Sequence, residues 1–225
     1  MKALAPDDRP REKLLRLGPT ALGDNELAAA VLGHGYRRVH ALELATHLLE
    51  ALGGVQGMAR ASARDVARVR GIGPTGAARL LAGMELGRRA VARAVPPRAR
   101  LASPREVAAY LLPRFSAADV EQFGVLLLDA RHRVLHARIL TRGTVDASTA
   151  HPREVFREAA LAGAAGVVLF HNHPSGDPTP SAEDLALTRR LRLAGELMGI
   201  EVVDHIILGD AVYCSLREAG QLART

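Results

Sequence analysis

Several residue types are scarce in this chain of 225 residues, and each scarcity limits what the protein can be. A single cysteine, Cys214, excludes a disulfide framework and any zinc site that needs several thiolates. There is no tryptophan and aromatic residues make up only 3% of the chain, so the core must consist mainly of Leu, Val, Ala and Ile. No stretch approaches 18 consecutive apolar residues, and the first 13 residues contain no apolar run. We therefore expect a soluble, cytoplasmic protein without a membrane span or a signal peptide.

Positive charge is concentrated in the first part of the chain. Residues 1–100 contain 17 Lys and Arg against 9 Asp and Glu, whereas residues 101–225 contain 13 against 15. Arginine supplies nearly all of this charge, because Lys2 and Lys13 are the only lysines. The asymmetry indicates two units, of which the first is suited to a polyanion and the second is not.

The first part of the chain has the pattern of short helices separated by glycine and proline, and we expect Asp24 to cap one of them. Pro96-Pro97-Arg98 cannot continue the last of these helices. The predicted organisation is a helical domain over 1–95, a linker over 96–102 and a second domain over 103–225. The predicted helices cover residues 11–17, 24–32, 39–52 and 77–94, and one more begins at Ser62.

The second part has the pattern of a mixed α/β domain. Apolar runs of strand length alternate with helix starts in which a capping residue precedes proline or an acidic residue. The runs at 122–129 and 133–141 are separated by a short connection, which predicts an antiparallel hairpin. We therefore expect an α+β fold, a mixed β-sheet with flanking helices. The other predicted strands cover residues 166–170, 201–208 and 211–214, and the predicted helices begin at Ser103, His151 and Ser181.

The strongest functional signal is the segment from His171 to Asp184, HNHPSGDPTPSAED. Side chains two apart on a strand share one face, so His171 and His173 can aim both imidazoles at one point. The loop that follows contains three prolines and a glycine, and it can fold back so that Asp184 reaches the same point. Two imidazole nitrogens and a carboxylate oxygen are ordinary zinc ligands, and catalytic zinc keeps one further position open.

Each part of this segment also has a plainer interpretation. A pair of histidines in H-x-H spacing is more often structural than metal-binding. Ser181 and Asp184 have the spacing of a helix N-cap followed by an acidic residue in the first turn. The capping role and the metal-binding role of these two residues are compatible with each other.

The whole string resembles a known motif. The spacing H-x-H, seven residues, Ser, two residues, Asp resembles the JAMM (MPN+) metalloprotease motif, with His171, His173, Ser181 and Asp184 in the matching positions. The longer string HNHPSGDPTPSAEDLALT resembles the bacterial RadC family, historically labelled as DNA-repair proteins. The resemblance extends to SPREVAAYL, HPREVF and DHIILGD in the second part and to RPREKLLRLG and GIGPTGAARLLAGMELGRR in the first, whereas LGHGYRRVHALELA departs from the family pattern. It implies a JAMM-type metalloprotease domain preceded by a small all-helical domain.

The resemblance also implies roles for five side chains. His171, His173 and Asp184 would hold one Zn²⁺ per chain. A glutamate on an earlier strand would act as general base, and Glu121 stands where the family has it. The Ser181 hydroxyl would hydrogen-bond the developing oxyanion. The implied reaction is hydrolysis of a peptide or isopeptide bond.

Three other glutamates compete with Glu121 for the role of base. We interpret Glu154 as a residue of a helix start, Glu158 as a charge on a helix surface and Glu183 as a solvated acid in a first turn. Without the resemblance, the sequence does not select among the four.

A carboxylate or carbonyl should also orient each metal-binding imidazole. Asp204 is a candidate for this role. Asp204 and His205 nevertheless fit better as residues that serve the packing or hydrogen bonding of their own strand.

In the first part, the segment around Gly71, Gly73 and Gly76 resembles a helix-hairpin-helix. Its glycines permit a tight turn that presents backbone N–H groups to a phosphate, and Arg70 and Arg79 would add attraction to the DNA backbone. The plainer interpretation is a tight turn between helices, or a surface that docks a protein. No aromatic side chains interleave with the arginines, so base reading is not expected.

The leading hypothesis is a zinc-dependent hydrolase of the JAMM type, tethered to a DNA-binding module. One alternative is a zinc-dependent nuclease, although two-metal nucleases usually need more carboxylates than this loop offers. Another is a non-enzymatic DNA-binding repair or recombination factor with a structural zinc site. A zinc deaminase is excluded because its ligand set needs two or three cysteines.

Overall fold

The computed structural model describes residues 8–37, 39–94, 98–143 and 150–222. The chain forms two compact units, Met1–Arg88 and Arg89–Thr225. Pro96 and Pro97, on which the predicted linker over 96–102 rests, lie outside the described residues. The predicted domain boundaries therefore stay a prediction.

The first unit is helical, as predicted, and differs from the prediction in two places. Gly23, and not Asp24, is the N-cap of α2, and its N–H donates to the Glu26 carboxylate at 3.0 Å. Helix α4 is not predicted by the sequence, because Gly53 and Gly54 indicate only the end of the helix before them. Gly53 does end α3, with φ of 78°, but α4 begins at once after it. The α-helices that begin in this unit are α1 (Pro10–Leu17), α2 (Asp24–Leu32), α3 (Ala41–Leu52), α4 (Gly54–Arg60), α5 (Ala63–Arg68) and α6 (Pro74–Ala94), the last of which continues past Arg88.

The second unit contains a five-stranded mixed sheet, which confirms the predicted fold. The strand order is β2-β1-β3-β4-β5, and only the β3–β4 pair is parallel among these strands. This parallel pair is joined by a crossover helix, α9. The elements are α7 (Pro104–Phe115), β1 (Gln122–Leu128), β2 (Val134–Arg142), α8 (Pro152–Leu161), β3 (Gly166–Asn172), α9 (Ala182–Met198), β4 (Glu201–Leu208) and β5 (Tyr213–Ser215).

The three predicted helix starts of this unit are confirmed. Ser103, His151 and Ser181 are the N-caps of α7, α8 and α9, and the side chain of each accepts a hydrogen bond from a backbone N–H in the first turn. Capping side chains satisfy amides that have no partner within the helix.

Each face of the sheet buries its own apolar cluster. On one face Phe123 and Leu169 pack against side chains of α8 and α9, and on the other Leu126 and Phe170 pack against α7. Because strand side chains alternate between faces, His171 belongs to the face that α8 and α9 cover. The far end of β3 therefore lies close to the start of α9.

A bulge in β4 changes which of its residues face α9. Val167 of β3 pairs with Val202, but the next residue, Val168, pairs with Asp204, so one residue of β4 is extra. Val202 lies on the α9 side before the bulge, and His205, three residues later, contacts α9 after it. Strict alternation would have turned His205 to the other face.

Candidate metal centre

The two histidines of the H-x-H motif converge, as the sequence predicts. His171 is the second-last residue of β3 and is fully buried, while His173 follows the strand and keeps 19% of its side chain exposed. Their Nε2 atoms are 2.9 Å apart. Both rings therefore present the same nitrogen to one point at the end of the strand.

Asp184 reaches this point from the first turn of α9. Its Oδ1 lies 3.2 Å from Nε2 of His171, and its Oδ2 lies 3.7 Å from Nε2 of His173. Oδ2 also accepts hydrogen bonds from the N–H and the hydroxyl of Ser181, both at 2.7 Å, and the Ser181 hydroxyl accepts from the N–H of Asp184 at 3.1 Å. This capping box confirms the plainer interpretation of Ser181 and Asp184. It also fixes the carboxylate beside the two imidazoles.

Asp184 is an anion at neutral pH although it is only 5% exposed. Burial alone would raise the pKa of Asp184, but the neighbouring His171 and the hydrogen bonds from Ser181 together outweigh it. The pKa of this carboxyl group therefore lies well below its ordinary value. A buried carboxylate held as an anion beside two imidazoles is suited to a cation.

The spacing of these donors fits a tetrahedral ion. Neighbouring ligand atoms around zinc with bonds of 2.0–2.1 Å are about 3.3 Å apart. The separations found here between His171, His173 and Asp184 are 2.9, 3.2 and 3.7 Å. Small movements of the side chains would bring all three donors to bonding distance of one ion.

Glu121 approaches the same pair of histidines from the segment before β1. One of its carboxylate oxygens and one ring nitrogen from each of His171 and His173 all lie within 4.8 Å of one another, so these three residues could hold a metal ion. Glu121 lies directly before β1, in which Phe123 pairs with His171. Continuing this antiparallel register by two residues brings Glu121 opposite His173.

Asn172, between the two histidines, ties down the segment that carries Glu121. Its Oδ1 accepts the N–H of Gln122 at 2.9 Å, and its Nδ2 donates to the carbonyls of Ala118 and Val120 at 3.3 Å. Asn172 is fully buried. Sequence reasoning missed this residue, whose only signal is its place inside the H-x-H motif.

The competing glutamates lie in other surroundings. Glu158 is not a surface charge as expected: it is 8% exposed, and its carboxylate accepts from Nη1 of Arg138 on β2 at 2.5 Å. Burial on the sheet face of α8 explains the difference, because the helix turns Glu158 inward with its apolar neighbours. Glu154 lies in the first turn of α8 and Glu183 is exposed, as expected for each.

The outer nitrogen of each imidazole has a partner. Nδ1 of His173 lies 2.7 Å from the backbone carbonyl of Asp177 in the loop, and Nδ1 of His171 lies 2.8 Å from Nε2 of His205 on β4. Nδ1 of His205 is in turn 2.6 Å from the hydroxyl of Thr188 on α9. Burial, with the nearby His171, lowers the pKa of His205 well below its ordinary value, so its ring is neutral.

His205 and not Asp204 is therefore the side chain beside His171. Asp204 accepts from the N–H groups of His205 and Arg217 at 2.7 and 3.0 Å and from the Ser215 hydroxyl at 2.6 Å. Burial raises the pKa of this carboxyl group despite these bonds. Asp204 serves its strand, as its plainer interpretation held, whereas the role of His205 was missed. Sequence reasoning also missed Thr188. The signal that could have found it is its position one helical turn after Asp184, on the same side of α9.

The glycine-rich turn of the first unit joins α5 to α6. Gly71 has φ of 99°, and a Cβ there would lie 2.9 Å from Cβ of Tyr36, so both the backbone and the space require glycine. Gly76 is buried in the helical core, whereas Gly73 is exposed to solvent. Arg70 and Arg79 are exposed, and Nη1 of Arg79 lies 3.4 Å from the carbonyl of Leu32.

Two sequence families match this chain. The profile of the RadC-like JAB domain matches residues 101–221, and that of the UPF0758 N-terminal region matches residues 1–78. The chain belongs to the RadC-like JAB family. A UPF0758 protein of Symbiobacterium thermophilum is 46% identical over 231 residues, which cover 99% of this chain and 97% of the relative. UPF0758 proteins of Geotalea uraniireducens and Geobacillus kaustophilus are 43% and 40% identical over 218 and 214 residues, covering 96% and 95% of each chain.

Membership of the RadC-like JAB family confirms the resemblance read from the sequence motifs and the predicted fold. The names of the relatives state a family and no reaction. In the part of this RadC-like chain that the structure describes, no helix is long and apolar enough to cross a membrane. The roles predicted for Glu121, Ser181 and the three metal-binding residues stay predictions.

Proposed function

We propose that this RadC-like protein is a zinc-dependent hydrolase of the JAMM type, which cleaves a peptide or isopeptide bond. The observation that carries the proposal is the convergence of three side chains. Nε2 of His171 and Nε2 of His173 are 2.9 Å apart, and the Asp184 carboxylate places Oδ1 3.2 Å from the first and Oδ2 3.7 Å from the second. This donor set and this spacing suit one tetrahedral zinc ion per chain.

The two carboxylates at the site are assigned different roles. Asp184 is buried, anionic and fixed by its capping box, which supports a role as the third ligand. Glu121 is half-buried. A half-buried carboxylate can exchange protons with water and with a substrate, which supports a role as general base.

Zinc, when bound by His171, His173 and Asp184, supplies a Lewis acid that polarises a carbonyl and makes water acidic enough to ionise near neutral pH. The Glu121 carboxylate takes the proton of the attacking water and delivers it to the leaving amine. Ser181 lies beside Asp184 and its hydroxyl can turn from that carboxylate to the oxyanion, to which it would donate a hydrogen bond.

A structural zinc site is the sharpest alternative, because Glu121 could also be a fourth protein ligand. The two hypotheses predict opposite results for Glu121→Gln. In the hydrolase, this variant keeps zinc and its hydrolysis rate falls by about 10²–10⁴-fold, the usual contribution of a positioned proton-transfer group.

The experiment uses peptides prepared from a denatured cell extract as the substrate pool and counts new amino termini by mass spectrometry. The unchanged, zinc-loaded protein should generate them, and Glu121→Gln should not within the same time. Cleavage by both proteins at equal rates would remove the base assignment. No cleavage by the unchanged protein would contradict peptide hydrolysis.

We also infer that the turn between α5 and α6 contacts the DNA backbone through Gly73 and the side chains of Arg70 and Arg79, while Gly71 and the buried Gly76 only shape the turn. The exposure of both arginines beside the open Gly73 supports this second role.

A DNA duplex shifted electrophoretically by the full chain tests this role. The double variant Arg70→Ala/Arg79→Ala should reduce the slope of log affinity against log salt by about 2. The control variant Arg153→Ala/Arg157→Ala removes two arginines of α8 and should leave the slope unchanged. No shift by the unchanged protein at low salt would contradict DNA binding.

A further inference from the structure

A chain of hydrogen bonds starts at His171 and ends inside α9. Nδ1 of His171 lies 2.8 Å from Nε2 of His205, and Nδ1 of His205 lies 2.6 Å from the hydroxyl of Thr188. That hydroxyl also lies 2.6 Å from the backbone carbonyl of Asp184. All three side chains are buried, so water does not compete for these bonds.

The backbone carbonyl of Asp184, the last acceptor in this series, determines the direction of the hydrogen bonds before it. A carbonyl can only accept, so Thr188 donates its one hydroxyl proton to Asp184. The Thr188 oxygen must then accept from Nδ1–H of His205. If His171 binds a metal ion through Nε2, its proton lies on Nδ1, and Nε2 of His205 at 2.8 Å is the atom that accepts the hydrogen bond. The arrangement of Thr188 and His205 therefore favours the His171 tautomer whose Nε2 lone pair is available to a metal ion.

His173 reaches the same tautomer by a shorter route. Its Nδ1 lies 2.7 Å from the backbone carbonyl of Asp177, so it also must donate from Nδ1. When a metal ion is bound, two imidazole lone pairs and a carboxylate oxygen can therefore all point at it. Such a set of electron-pair donors is stabilised by a cation between them.

Two features of the fold hold His205 in place. The bulge in β4 turns His205 toward α9, where Thr188 lies. The ring of Phe123 meets the His205 ring edge-on, with centroids 6.1 Å apart and an interplanar angle of 86°. Packed in this way, His205 directs its Nε2 at Nδ1 of His171.

We propose that Thr188 and His205 are positioning residues that hold His171 as its Nδ1-protonated tautomer and so keep its Nε2 available for the metal. We call the series of hydrogen bonds His171–His205–Thr188 the relay. It ends on the backbone carbonyl of Asp184, so it also links His171 to Asp184, the two predicted metal ligands at its ends. This inference rests on the proposed zinc site and adds the side chains that set its affinity.

The test compares two substitutions at Thr188 in the full-length protein. Thr188→Val keeps the shape of the side chain but removes the hydroxyl, so that His205 can carry its proton on Nε2 and oppose the proton of His171. The zinc affinity, measured by competition with a chromophoric chelator, should fall by about 10–100-fold, as is usual for the loss of a partner of a ligating histidine. Thr188→Ser keeps the hydroxyl and should retain the affinity.

Ser215→Ala is the matched control. It removes a buried hydroxyl that donates at 2.6 Å to Asp204, and Asp204 is the residue before His205. The relay itself stays intact. Ser215→Ala should lower thermal stability without changing zinc affinity. Equal zinc affinity of Thr188→Val and the unchanged protein would overturn the proposal, as would an equal loss in Ser215→Ala.

A second measurement tests the relay without any substitution at Thr188 and without zinc. ¹⁵N-labelled histidine in the unchanged protein, with resonances assigned from single-histidine variants, reports which ring nitrogen carries the proton. We expect His171 and His205 both to be protonated at Nδ1. Protonation of His205 at Nε2 would overturn the relay, whereas correct tautomers with no zinc binding would contradict the proposed function alone.

Discussion

Two carboxylates approach the same pair of histidines from two regions of the molecule, and they are held in different ways. Asp184 lies in the first turn of α9 and is fixed by its own capping box, three hydrogen bonds with Ser181. Glu121 lies before β1, and its segment is tied down by Asn172 from the neighbouring strand. One carboxylate is positioned locally, and the other depends on a contact between residues 50 apart in the sequence.

The difference matches what the two proposed roles require. A metal ligand needs a fixed anion, and Asp184 is buried with a pKa well below its ordinary value. A general base needs access to water and substrate, and Glu121 is half-buried. The placement of the base then depends on Asn172, while the placement of the ligand does not.

Asn172→Ala breaks the tether of Glu121 and leaves the ligands unchanged. Because the carbonyls of Ala118 and Val120 and the N–H of Gln122 lose their partner, stability should fall by about 1–3 kcal/mol. The hydrolysis rate should fall toward the loss of about 10²–10⁴-fold expected without a positioned base, with zinc affinity retained. Rates and zinc affinity are measured on the folded protein, below the onset of thermal unfolding.

Leu111→Ala is the control for stability in this experiment. Leu111 is fully buried on the α7 face of the sheet, and its truncation should cost about 2–5 kcal/mol. Leu111→Ala should nevertheless keep the hydrolysis rate of the unchanged protein. If Asn172→Ala also kept that rate, Asn172 would not position the base.

The fold and the main site residues could be predicted from the sequence because their signals are local. The central strands of the sheet are apolar runs, and each predicted helix start of the second unit carries its capping residue within one turn. The convergence of His171, His173 and Asp184 follows from strand geometry and a loop that folds back. The assignment of Glu121 needed the family resemblance, since no local pattern separates it from Glu154 or Glu183.

What the sequence did not predict depends on tertiary contacts. His205 faces α9 only because one extra residue in β4 shifts the alternation of its side chains. In the sequence Thr188 is an ordinary helix residue, and only the packing of α9 on the sheet brings its hydroxyl to His205. Glu158 reads as a surface charge, and its burial follows from the way α8 lies against β2 and its Arg138.

The most direct test of the two carboxylate roles is the zinc affinity of Asp184→Asn and Glu121→Gln, measured beside the unchanged protein by chelator competition. We expect the unchanged protein and Glu121→Gln to bind one zinc per chain with similar affinity. Asp184→Asn should bind at least about 100-fold more weakly, because it loses a charged ligand. Retained affinity in Asp184→Asn together with lost affinity in Glu121→Gln would make Glu121 the ligand and contradict the proposed hydrolytic site.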